Sequence, residues 1–155
     1  MKINIEFDTN LTENEITIRC ASIDSEVQKI QETLSSIISS ARRFICYQNE
    51  TEYYLPIENI LFFETADGGI RAHTKDQVFQ TKMKLYELEE TLPGYFMRVS
   101  KSTILNTEHI FSITRNLTAS SVVEFNGTHK QVYVSRYYYK PLKFKLEEKR
   151  KDYEK

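Results

Sequence analysis

The chain has 155 residues, 40% hydrophobic and 28% charged, with a formal net charge of -1. That is the profile of a globular protein of one domain, or of one domain with a small appendage, large enough to bury a core. No apolar run approaches the roughly 18 residues of a membrane span, and Met1-Lys2-Ile3-Asn4-Ile5-Glu6 lacks the apolar centre of a signal peptide, so a cytoplasmic location is expected. Cys20 and Cys46 stand apart with no CxxC pairing, which indicates neither a disulfide framework nor a zinc knuckle.

The near-neutral total conceals a segregation along the chain. Residues 1–41 carry 3 basic and 7 acidic side chains, residues 42–92 carry 6 and 9, and residues 93–150 carry 10 and 4, a local net of +6. Such a block attracts a polyanion locally, because exposed charges are screened beyond about 10 Å at about 0.1 M salt. On charge alone, the other reading is an ordinary solvated basic face.

Taken in order, Lys2 to Phe7 alternates with the period of a half-buried strand, Asp8-Thr9-Asn10 breaks it, and Glu15 to Cys20 alternates again. The two stretches are expected to pair as an N-terminal β-arm. From Asp24 the period becomes helical: Val27, Ile30, Leu34, Ile37, Ile38 and Ala41 fall on one face, with Ser25 and Gln28 as a capping box. Core packing is the expected use of that face. After Arg42-Arg43 short strands follow: Phe44 to Gln48 and Glu52 to Leu55 around Asn49-Glu50, then the apolar run Ile57 to Phe63. Asp67-Gly68-Gly69 is a turn, and Ile70 to Thr74 and Val78 to Lys82 are strands. Leu85 to Leu92 is a short helix ended by Pro93-Gly94. Phe96 to Val99, Ile110 to Thr114 and Ser121 to Phe125 are further strands, and Asn126-Gly127 turns the last of them onto Gln131 to Val134. A short amphipathic helix around Leu142 and Leu146 should hold Pro141 in its first turn, and the charged residues 147–155 should fray.

Nothing in this pattern points to catalysis. His73, His109 and His129 are scattered singly, without HExxH or ligand spacing, so no metal site is expected. There is no GxSxG, no GxxxxGK[ST] and no dinucleotide fingerprint; Gly68-Gly69 is too little to cradle a phosphate, and no cofactor is expected. Glu64 and Asp67 could be paired acids, but they serve equally as a strand-end charge and a turn former. No catalytic residue is assigned.

Two segments carry a different chemistry. Arg98-Val99-Ser100-Lys101-Ser102-Thr103-Ile104-Leu105-Asn106 places cations and hydroxyls between apolar runs, a composition suited to gripping phosphates. Val134-Ser135-Arg136-Tyr137-Tyr138-Tyr139-Lys140 repeats it. Most of the ten tyrosines and nine phenylalanines are explained by strand preference and core filling. Three consecutive tyrosines cannot all face one core, so at least one should be exposed beside Arg136 and Lys140.

Residues from about 44 to 146 resemble the LytTR family of bacterial DNA-binding domains. The resemblance rests on Tyr54-Leu55-Pro56-Ile57-Glu58-Asn59-Ile60-Leu61-Phe62-Phe63-Glu64, on Leu85-Tyr86-Glu87-Leu88-Glu89-Glu90, on Phe96 to Asn106 and on Val134-Ser135-Arg136, in the family's order. It implies a mainly β (α+β overall) module of several small antiparallel sheets with short helices at 44–147, preceded by the β-arm and helix of 1–43 and followed by a charged tail, 148–155. It further implies a sequence-specific transcriptional regulator of double-stranded DNA that places loops in successive major grooves, at sites that are often imperfect direct repeats.

Carried over by position, Lys101 and Arg136 match base-contacting residues, and the Asp67-Gly68-Gly69 loop occupies a third contact region centred on Gly68. That loop departs from the better-known pattern in length and residues. Arginine can bind a guanine edge through two parallel hydrogen bonds, and lysine can donate to the same atoms. Ser102 falls at a phosphate contact, and Arg98, Ser100, Ser135, Tyr137 and Lys140 would position the protein on phosphates, with Lys82 and Lys84 extending the track. For Arg98 a structural salt bridge is the equal alternative.

Many family members carry a receiver domain of roughly 120 residues ahead of this module, for which the sequence leaves no room. The N-terminal extension resembles that of stand-alone members, some of which accompany a small membrane protein that restrains them. Such a partner, or a homodimer formed through residues 1–41, is implied by the resemblance alone. Two other readings stay open: a protein-interaction module using the N-terminal helix and sheet edges, and single-stranded RNA binding on aromatic platforms.

Overall fold

The computed structural model describes residues 1–41 and 43–154. Arg42, at the expected junction, lies outside the described residues. The chain divides into two compact units, Met1–Ile38 and Ser39–Lys155.

In the first unit the expected β-arm is absent: no strand forms among the described residues 1–24. Ile3, Ile5 and Phe7 are all at least nine-tenths exposed. Alternation supplies a strand's period but no third strand or core to support it, and an isolated two-stranded hairpin is marginal in water. The break after Phe7 is a turn in which the Asp8 carboxylate accepts from the Asn10 backbone and side chain. Helix α1 (Ser25–Ala41) starts where the periodicity changes, but its cap is Asp24 rather than Ser25. Asp24 Oδ1 accepts from the Val27 N–H at 2.9 Å, and its carbonyl receives the Gln28 N–H. A carboxylate one residue earlier both satisfies an orphan donor and complements the helix dipole. The expected burial of the helix's apolar face is not found, since Val27, Ile30 and Leu34 are half-buried and Ile37 and Ile38 exposed.

The second unit is built on seven antiparallel strands in the order β2-β1-β5-β4-β3-β7-β6. These are β1 (Arg43–Gln48), β2 (Thr51–Pro56), β3 (Phe62–Ala66), β4 (Gly69–His73), β5 (Val78–Thr81), β6 (Phe96–Ser100) and β7 (Thr103–Asn106), with helix α2 (Leu85–Thr91) between β5 and β6. A smaller sheet has the order β10-β9-β8, from β8 (Ile110–Thr114), β9 (Ser121–Phe125) and β10 (Gln131–Val134), and helix α3 (Arg136–Glu154) follows.

The unbroken apolar runs explain why β3, β7 and β6 of the large sheet are covered on both sides. Neighbouring residues of one strand enter opposite cores: Phe63 and Ile104 join Cys46, Ile60, Phe79 and Leu88 on one face, while Phe62 and Leu105 join Val99, Phe125, Val134 and Leu142 on the other. All four residues of β7 are buried. Each large apolar side chain so covered contributes about 1.5–3 kcal/mol relative to exposure.

The strands after β7 match the periodicity, but α3 does not match the short helix expected. It starts at Arg136, so Pro141 lies in the second turn, and it runs to Glu154 through residues expected to fray. A proline there removes one backbone bond near the helix start, while Leu142, fully buried, anchors the helix in the second core. The charged run that follows is rich in lysine and glutamate, both good helix formers.

A polar contact ties the sheets together at the end opposite the β3–β4 turn. Lys130 Nζ donates to the carbonyls of Thr74 (2.8 Å) and Gln77 (2.9 Å) and to His73 Nδ1 (3.3 Å), and His73 Nε2 lies 2.8 Å from Glu64 Oε1. Because Nδ1 accepts from lysine, the ring proton sits on Nε2 and donates to Glu64. Burial pushes His73 below its ordinary value, against the pull of Glu64. The ring is therefore neutral, and its contact with Glu64 is a hydrogen bond rather than an ion pair.

Candidate nucleic-acid interface

Strand register brings the three segments singled out from sequence to one end of the second unit. Ile70 pairs with Thr81, so β5 finishes beside the β3–β4 turn, and Glu64 pairs with Thr103, so the β6–β7 turn lies there too. Two backbone bonds link the segments directly. The Thr65 N–H donates to the Ser102 carbonyl at 2.8 Å, joining the Gly68 turn to the Lys101 turn. The Ser135 N–H donates to the Val99 carbonyl at 2.9 Å, joining the start of α3 to the strand that delivers Lys101.

Each turn is held from within. Gly68 and Gly69 adopt φ of 88° and 137° with nothing within 4 Å of an added Cβ, so backbone conformation rather than space requires glycine. Gly68 consequently offers a ligand only its main chain. In the Lys101 turn, Ser100 Oγ accepts from the Ser102 N–H at 3.2 Å and lies 3.3 Å from Ser102 Oγ. Thr103, Ile104 and Leu105 are buried and anchor it.

Arg98 resolves toward its structural alternative. Its Nε donates to the Ser100 carbonyl (3.0 Å), one terminal nitrogen to the Lys101 carbonyl (2.6 Å) and the other to Glu89 of α2 (2.8 Å). The guanidinium is turned back onto the chain, spanning the carbonyls of Ser100 and Lys101. Lys101 itself is exposed, as are Arg136 and Lys140, and no contact engages their side chains among the described residues.

At the start of α3, Tyr137 is 80% exposed, while Tyr138 and Tyr139 are partly buried against the second core. The tyrosine triplet thus divides as expected. The Tyr138 N–H closes the first turn on the Ser135 carbonyl at 3.0 Å, which sets the direction in which Arg136 leaves the helix. Lys82 and Lys84 border a different concavity, of about 1110 Å³, shared with the Gly68 turn but not with Lys101 or Arg136. Its walls also carry Glu50, Glu52 and Asp67, and Lys82 Nζ sits 4.6 Å from the Tyr47 ring centroid. The two lysines therefore flank the Lys101–Arg136 surface.

One basic residue at this end escaped the sequence reading. Arg115, in the loop between β8 and β9, is exposed and lies 4.9 Å over the Tyr139 ring. A single cation in a polar loop carries no motif; only its placement after a strand that ends beside Arg136 signals it.

Among proteins already described, the family whose pattern matches is the LytTr DNA-binding domain, over residues 50–147. The chain is 29% identical over 146 residues, 94% of its length and 98% of the relative's, to an uncharacterized HTH-type transcriptional regulator of Staphylococcus aureus strain NCTC 8325. A counterpart in the bovine strain RF122 is 30% identical over the same shares. The fold is similar, with a TM-score of 0.60, to a solved LytTr DNA-binding domain from Bacillus cereus, at 21% identity, covering 65% of this chain and 95% of that one. Those relatives are named for a helix-turn-helix, yet here α2 and α3 are separated by five strands.

Proposed function

The chain belongs to the LytTr DNA-binding domain family, and from that premise we propose that it is a transcriptional regulator that reads double-stranded DNA with the turns at one end of its sheets. The observation that carries this reading is that Lys101 and Arg136, both exposed and unengaged, stand on segments joined through one hydrogen-bonded strand, β6. Two donors held at a fixed spacing can meet base edges in successive grooves, with guanine O6 and N7 the natural acceptors. Gly68 takes the third contact through its backbone. Ser100, Ser102, Ser135, Tyr137 and Lys140 lie around the two readers as donors to phosphate oxygens, and Lys82 and Lys84 extend the grip along the flank. Arg98 acts through Lys101, by holding its turn.

The reading includes no cofactor and no catalytic role, and it places the protein in the cytoplasm. Imperfect direct repeats, a homodimer and a small restraining membrane protein are the partners that fit it. Among the described residues no helix is long and apolar enough to cross a membrane. A second reading has one observation in its favour. Ile3, Ile5, Phe7 and Ile16 are exposed, which suits a module that binds a protein through its N-terminal unit.

Selection of bound duplex from a random pool at about 0.15 M salt separates the two. A regulator returns a shared sequence bound about 10³-fold or more above random duplex. Recovery of no shared sequence would favour the interaction module.

A further inference from the structure

The cleft between the β8–β9 loop and the first two turns of α3 encloses about 200 Å³ and is lined by Arg115, Asn116, Ser121, Arg136, Tyr137 and Lys140, with Leu117 and Tyr139 completing the wall. Three cations converge there and no carboxylate is among the lining residues. Side chains of one sign gathered in this way repel one another unless an anion lies among them.

We propose that this cleft is a phosphate-binding site, formed chiefly by Arg115 and Lys140, that seats one phosphodiester of the DNA backbone next to the groove entered by Arg136. The proposal rests on the duplex-binding reading above and adds a loop to the surface it describes.

The loop is already shaped to hold its place. The Asn116 N–H donates to Ser121 Oγ at 3.1 Å, and the Thr118 N–H and hydroxyl donate to Asn116 Oδ1 at 3.1 and 3.2 Å. Ser121 is buried and pairs with Val134, two residues before α3 begins at Arg136, so strand register holds the loop base beside the helix start. Stacking on Tyr139 occupies the face of the Arg115 guanidinium and leaves its edge nitrogens to donate. A planar fork of that kind matches two oxygens of a phosphate, while Lys140 supplies a point charge from the adjacent helical turn. Tyr137, 80% exposed on the same wall, adds a hydroxyl donor. The site would fix register and orientation without reading sequence.

The test uses the full chain and a duplex recovered by selection, with affinity measured against salt concentration for wild type, Arg115→Ala and Arg115→Lys, each checked for folding by circular dichroism. Arg115→Ala should reduce the steepness of log K against log salt by about 0.9, the value of one phosphate contact, with the order of preferred bases unchanged. Arg115→Lys should keep the wild-type steepness. If Arg115→Ala, folded, matches wild type in steepness and affinity, the phosphate site is wrong while duplex reading stands. If its base preference changes instead, Arg115 is a reader and the proposal falls. A wild-type chain that binds no duplex overturns the functional reading and this site with it.

Discussion

Arg136→Ala should weaken binding to the selected duplex by roughly 5- to 150-fold, equivalent to about 1–3 kcal/mol, and should level the preference at one base-pair position while leaving the others ranked as before. The side chain has no internal work to lose, because among the described residues it is exposed and makes no hydrogen bond or ion pair. Its backbone is the opposite case, fixed by the Ser135–Val99 and Tyr138–Ser135 bonds on either side. Truncation should therefore leave the thermal midpoint within about 2 °C of wild type, as is usual for a surface change away from such features. Fluorescence anisotropy on the selected duplex and its single-base variants reads both quantities. Unchanged affinity and unchanged preference would remove Arg136 from base readout.

The largest expected effect on stability lies at the end of the same motif. Asn106 is fully buried; its side-chain amide donates to the carbonyls of Ile60 (3.0 Å) and Glu58 (3.4 Å), and its Oδ1 accepts from the Glu108 N–H (3.0 Å). It clamps the link between β2 and β3 to the exit of β7. Asn106→Ala removes all three bonds and takes the buried Ile60 carbonyl's donor away, at about 1–3 kcal/mol for a buried group left unpaired, in addition to the packing lost with the amide. A total of roughly 2–4 kcal/mol should lower Tm by about 10 °C or more for a unit of this size. Thermal denaturation followed by circular dichroism checks it, and a shift under about 3 °C would mean the clamp is not needed. Protein kept folded by cooling should still prefer the same bases, since Asn106 is sealed in the core and touches no ligand.

Ile57 to Phe63 and Thr103 to Leu105 are apolar without alternation, and the observed cores use neighbouring residues of each run on opposite sides. Lys2 to Phe7 has an equally clear period and forms no strand, because alternation describes how a segment would pair and says nothing about whether a partner exists. The sequence places Pro141 in the first turn of a short helix; α3 instead begins at Arg136, because burial of Leu142 in the next position outweighs one missing backbone bond. At the proposed interface, the candidate readers Lys101 and Arg136 come from composition and family resemblance, and the one exposed tyrosine expected of the triplet is Tyr137. The direction of a guanidinium is not legible in that way. Arg98 and Arg136 are the same residue type in similar surroundings, and only the carbonyls of Ser100 and Lys101 with Glu89 turn the first back onto the chain. Arg115 was invisible for the complementary reason, since its partners in space lie about twenty residues later in the chain.

The central claim is that three turns separated in sequence make one duplex-reading surface at one end of the sheets. Backbone amide shifts followed by nuclear magnetic resonance during titration with the selected duplex test it most directly. The claim predicts that Gly68, Lys101, Ser102 and Arg136 respond together at the same duplex concentration, while Gly127, Lys75 and Lys130, at the opposite end, stay still. A response centred on those last three residues, or confined to residues 1–38, would contradict it.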